Sequence, residues 1–91
     1  MATSDLDAQR RILNRLRRAR GQLDAVITAA ESGGSCRDVV TQLAAVSSAL
    51  DRAGFAIIST AMKDCIADPE GTNRKDDITP EELEKLFLTL A

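Results

Sequence analysis

The chain has 91 residues and a net charge of −2, from 12 basic and 14 acidic side chains, and it contains no histidine. Aromatic residues make up 2%, only Phe55 and Phe87, so the apolar content is Ala, Leu, Ile and Val, which favours packed helices over a β-sandwich. Histidine-based triads and general bases are excluded, no glycine-rich phosphate loop is present, and no apolar run approaches the roughly 20 residues that span a bilayer.

The first helix is expected over about residues 5–32, with Ser4 as N-cap and Asp7 three positions on. Ile12, Leu16, Leu23, Ile27 and Ala30 recur at helical spacing, and Gly33-Gly34 supplies the left-handed stop. Arg11, Arg15 and Arg18 fall at i, i+4 and i+7, a basic stripe that Arg10, Arg17 and Arg20 widen. Residues 1–22 therefore carry +4, residues 23–63 carry −1 and residues 64–91 carry −5. A mildly acidic chain with one basic end suits a protein that touches a polyanion with one face, although a solvated face pairing with the acidic C-terminal segment also fits.

The second helix is expected over about 36–66. Ser35 with Asp38 makes a variant capping box, an apolar series runs from Val39 to Ile66, and Pro69 ends it. Gly54 is a glycine inside that helix, a place for a close crossing or a bend. A polar linker covers 67–78. A third helix over about 80–90 is capped by Thr79, with Pro80 first, Glu82 completing the box and Leu83, Leu86, Phe87 and Leu90 as its apolar stripe. It is too short to be stable alone and must dock. One all-α domain spans 1–91, and its small core makes oligomerisation a natural supplement.

Cys36 and Cys65 lie at opposite ends of the second helix. With no secretory signal pattern at the N-terminus, the expected location is cytoplasmic, where a permanent disulfide is disfavoured. The cysteines then read as a redox or metal pair, or as two ordinary buried small residues. At 1.5 Å rise per residue they are about 43 Å apart and share one helix face. One chain cannot join them. Two copies packed antiparallel about a two-fold axis near Leu50-Asp51 place Cys36 of one beside Cys65 of the other, twice. Cys36 stands in a first helical turn, where free amides favour a thiolate, and Cys65 stands at a C-terminal end beside Asp64, which disfavours one. Cys36 is the expected nucleophile and Cys65 the resolving thiol. A two-thiol oxidoreductase normally shows C-x-x-C, which is absent, so no enzyme is expected. No helix-turn-helix, zinc-finger spacing or RNA-binding aromatic platform is evident.

Leu16-Arg17-Arg18 through Gly21-Gln22-Leu23, then Cys36-Arg37-Asp38, Gln42-Leu43-Ala44-Ala45-Val46, Ala49-Leu50 and Cys65, form a string that resembles the copper-sensitive operon repressor family. The resemblance covers the first two helices. It implies a three-helix protomer, an antiparallel four-helix-bundle dimer and a dimer-of-dimers tetramer. It also implies repression by binding operator DNA, with Arg15 and Arg52 at basic positions used for DNA and Arg11 and Arg18 beside them.

Two positions depart from the copper pattern. Ala61 stands where the copper sensors carry a histidine four residues before the second cysteine, and Ser35 where a tyrosine precedes the first. The remaining two-cysteine pattern is similar to the persulfide-sensing branch, the CsoR-like sulfurtransferase repressors. There Cys36 takes sulfur from a persulfide or polysulfide, and Cys65 of a neighbouring chain closes a di-, tri- or tetrasulfide bridge. That reading needs no cofactor. Two alternatives stay open: a repressor holding Cu(I) with Cys36 and Cys65 as an incomplete ligand set, completed by an exogenous or unidentified third ligand, and a sulfur-relay or interaction protein that does not bind DNA.

Overall fold

A computed structural model describes residues 6–68 and 78–91. It contains α1 (Leu6–Glu31), α2 (Cys36–Ala67) and α3 (Pro80–Leu90), and no strand among the described residues. The Ser4 cap and most of the 67–78 linker lie outside the described residues.

The helix ends form as their sequences dictate. Gly33 takes φ +75°, its N–H donates to the Ala30 carbonyl at 3.4 Å, and the Gly34 N–H donates to Ala29 at 2.8 Å. This pair of bonds is a Schellman closure, which satisfies carbonyls left open at the end of α1. Ser35 Oγ accepts from the Asp38 N–H at 3.1 Å, so Cys36 is the first residue of α2. Thr79 Oγ1 accepts from the Glu82 N–H at 3.2 Å, with Pro80 opening α3.

α2 is the central element: α1 packs on one side of it and α3 on another. Arg15 and Arg18 share a groove with Ala49 and Arg52, whereas Ala8 and Ile12 share one with Ala56 and Thr60, so α1 runs antiparallel to α2. α2 buries Val46 and Ala53 with the α1 pair, and Ile58 and Cys65 in a cluster with Leu83 of α3. Gly54 serves a close approach rather than a bend. A Cβ placed there would stand 2.7 Å from Leu90 Cδ1, so the end of α3 sits directly on the α2 backbone.

The apolar stripe of α1 is divided differently from the expectation. The buried line is Ala8, Ile12, Ala19 and Val26, while Leu23, Ile27 and Ala30 face outward. Burial follows the face turned toward α2 and not residue size: Ala19 is 1% exposed, and the larger Ile12 and Val26 lie on the same buried line. In α3 only Leu83 is buried, and Leu86 and Phe87 remain about half exposed.

The Cα extents are 54 × 25 × 13 Å. A Cα thickness of 13 Å corresponds to two helix layers, each Cα cylinder about 4.6 Å across with axes about 8–10 Å apart, so each helix keeps a face with no neighbour. Leu23, Ile27, Val40, Leu43 and Leu50 are accordingly left 40–56% exposed.

Candidate functional site

The two thiols occupy opposite ends of an uninterrupted α2, and neither is in a disulfide. Cys36 is exposed at the capped N-terminal turn. Cys65 is 8% exposed, packed with Ile58 and Leu83 and bordered by Ala61, Ile78 and Leu90. Its Sγ donates to the Ile78 carbonyl at 3.6 Å. The structure therefore does not bring the cysteines together within one chain, as their separation requires. The expected pair of a nucleophilic Cys36 and a resolving Cys65 differs also in burial, which spacing alone did not show.

The arginines do come together. Arg15, Arg18 and Arg52 line a groove of about 330 Å³ between α1 and α2, completed by Gln22, Ala45, Ser48 and Ala49. Arg11 joins Arg15 and Arg18 along the next stretch. A further depression holds Arg11 and Arg15 opposite Ser59, Thr60 and Lys63. All four predicted arginines are exposed and lie along one surface. Lys63, Gln22 and Ser48 belong to this surface and were not foreseen as site residues. Lys63 follows Arg52 by eleven residues, within about 20° of three full helical turns, so helical spacing could have found it. Three guanidinium groups along one groove, with an amide and a hydroxyl between them, offer forked donors to phosphate oxygens and little to a neutral ligand.

A metal centre within one chain fits poorly. Among the described residues no group of three or more His, Cys, Asp or Glu side chains is placed to hold a metal ion. Ala61 packs half-buried beside Cys65 and presents a methyl group where a third ligand would stand, and the chain has no histidine to replace it. Two thiols alone suit Cu(I) in a linear geometry but leave a trigonal site incomplete. Among the described residues no helix is long and apolar enough to cross a membrane.

The chain is all-helical among its described residues, with a basic face on a helix pair and one thiol at each end of its longest helix. Residues 8–90 match the model of the metal-sensitive transcriptional repressors, and the chain belongs to that family. It is 43% identical over 61 residues to the copper-sensing transcriptional repressor CsoR of Mycobacterium ulcerans, covering 67% of this chain and 52% of that protein. The corresponding protein of Mycobacterium tuberculosis is 36% identical over 66 residues, covering 71% of this chain and 56% of its own length. The chain thus spans about half the length of these curated relatives. A variant of the formaldehyde-responsive regulator FrmR from Salmonella enterica serovar Typhimurium superposes with a TM-score of 0.67 at 28% identity, over 96% of this chain and 90% of that one.

Proposed function

We propose that this chain is a DNA-binding transcriptional repressor that answers reactive sulfur species by forming an interchain bridge between Cys36 and Cys65. The arrangement on α2 carries the reading. An exposed thiol stands at one end, a covered thiol at the other, and an arginine groove lies between them. The outward-facing Leu23, Ile27, Val40, Leu43 and Leu50 give a second copy an apolar surface to cover. Two copies of α2 packed antiparallel bring Cys36 of each beside Cys65 of the other, and an isologous dimer holds two such sites. Pairing of dimers into a tetramer follows the family resemblance.

The chemistry balances without a cofactor. The Cys36 thiolate attacks the sulfane sulfur of a persulfide RSSH, forming Cys36–SSH and releasing RSH. The thiolate of Cys65 in the neighbouring chain then attacks the inner sulfur, giving a Cys36–Cys65 disulfide and releasing hydrogen sulfide. If Cys36 first gains a second sulfur from a polysulfide, the same step leaves a trisulfide, and each further sulfur lengthens the bridge by one. The sulfane sulfur is the oxidant throughout. The exposed Cys36 suits the first attack and the covered Cys65 the second.

Reduced protein binds operator phosphates through Arg11, Arg15, Arg18 and Arg52. The bridge changes how the chains are held together, so that these groups no longer match the duplex. A coupling of about 1–3 kcal/mol suffices, since it alters affinity by roughly 5–150-fold. The decisive experiment titrates the DNA upstream of the protein's own gene with reduced protein, before and after an inorganic polysulfide. Release accompanied by a crosslinked dimer heavier by whole sulfur atoms supports the reading. Release that persists in Cys36→Ala refutes it.

Cu(I) sensing is a second reading, favoured by one observation: the 43% identical relative is a copper-sensing repressor. Stoichiometric Cu(I) binding with loss of DNA affinity, and no response to polysulfide, selects it over sulfur.

A further inference from the structure

We propose that α3 is a cover on the Cys65 thiol: sulfur reagents reach Cys65 only in chains whose α3 has lifted from α2, and a bridged Cys65 keeps α3 off. The inference deepens the reading of Cys65 as the resolving thiol and rests on that reading for its biological consequence.

Part of the space around Cys65 is taken by α3 and by the residue before its cap. Cys65 sits in a cluster with Ile58 and Leu83, and Leu83, at 1% exposure, is the one α3 side chain that is fully covered. On another side the Ile78 carbonyl, one residue before the α3 cap, accepts the thiol at 3.6 Å. A sulfur bridge needs a partner sulfur about 2 Å from Sγ and a partner Cβ about 3.8 Å from the Cys65 Cβ, with a dihedral near 90°. It also needs the attacked and leaving sulfurs nearly in line with the attacking one. A second cysteine meeting those conditions must take volume that Ile78 and Leu83 now fill. Docked α3 and bridged Cys65 are therefore alternatives for one space.

The cover is built to come away without unfolding the rest. α3 has 11 residues, below the length at which an isolated helix holds in water, so its order depends on its seat on α2. The seat has three points: Leu83 against Ile58 and Cys65, Phe87 with its ring centroid 5.3 Å from that of Phe55, and Leu90 over Gly54. α1 contributes none of these, because it packs on a different side of α2. Lifting α3 leaves the α1–α2 pair and its arginine groove intact.

The test uses the full-length chain carrying Cys36→Ala, so that Cys65 is the sole thiol, and iodoacetamide as the probe. Cys65 should alkylate far more slowly than in urea. Its protection factor should equal that of the α3 amides in hydrogen exchange and fall below that of the α2 amides near Val46 and Ala53. Phe87→Ala, which loosens the seat at Phe55 and replaces no member of the Cys65 cluster, should speed alkylation by about three- to tenfold, the scale of one aromatic pair. In a Cys65→Ala background the same change should leave Cys36 alkylation unaltered. Cys65 reacting as fast as in urea, or protected to the full extent of α2, overturns the proposal, and the exchange comparison decides it even if the Phe87 variant folds poorly. The readout involves no sulfur donor. Polysulfide can thus fail to release DNA while the cover is demonstrated, or release it while the cover is refuted.

Discussion

Replacing Ala53 by leucine tests how the basic groove is built. Ala53 is completely buried on α2, and Ala19 on α1 is 1% exposed. Leucine adds three carbons where no space exists. Overpacking of this kind costs about 1–3 kcal/mol, and the alternative is to push the axes from about 8 toward 10 Å apart. For a chain of this size each kcal/mol lowers the melting temperature by about 4–8 °C, so a fall of about 4–24 °C is expected at fixed protein concentration. The displaced α1 carries Arg15 and Arg18 away from Arg52, its neighbour across the groove. Loss of one well-aligned guanidinium–phosphate pairing, on the order of 1 kcal/mol, weakens operator binding about fivefold. Thermal melts followed by circular dichroism and DNA titration at constant salt read the two effects, with the exposed Ala44→Leu as control. An Ala53→Leu protein that melts and binds like its parent would refute the view that alanines hold the two arginine-bearing helices in register.

Three further outcomes follow from named residues. Arg15→Ala or Arg52→Ala should weaken DNA binding and flatten the plot of log K against log salt by about 1 for each phosphate no longer neutralised, while Lys85→Ala on α3 changes neither. Ser35→Ala removes the acceptor of the Asp38 N–H and should cost about 0.5–2 kcal/mol, seen as a lower denaturation midpoint and faster amide exchange at 36–39. Ala61→His places an imidazole one turn before Cys65. It should tighten Cu(I) binding in competition with a chelator; an unchanged affinity would count against Cys36 of a second copy standing near that position.

The helix ends were legible because each is decided by a few adjacent residues. Ser35, Thr79-Pro80 and Gly33-Gly34 state their roles within four positions, and the bonds they make are the expected ones. The facing of α1 was not legible. Its large residues Leu23 and Ile27 and its small residues Ala8 and Ala19 all have helical period, and period does not say which face meets α2 and which is left outward. The contact with α2 decides it, and it buries Ile12 and Val26 together with Ala8 and Ala19. At the site, the arginines could be placed on one stripe from spacing, but their meeting with Arg52, Ser48 and Lys63 depends on the antiparallel register of two helices. The covering of Cys65 depends on where α3 returns after the linker, a contact between residues 65 and 78–83 that no local pattern announces.

The Schellman closure at Gly33 and Gly34 leaves only four residues, 32–35, between α1 and α2. A connection that short ties the start of α2 to the end of α1, so the backbone positions that carry Arg11, Arg15, Arg18 and Arg52 belong to one hairpin while their side chains stay exposed and free to turn. On the proposed function, the spacing presented to a polyanion changes when one copy of that hairpin moves against another.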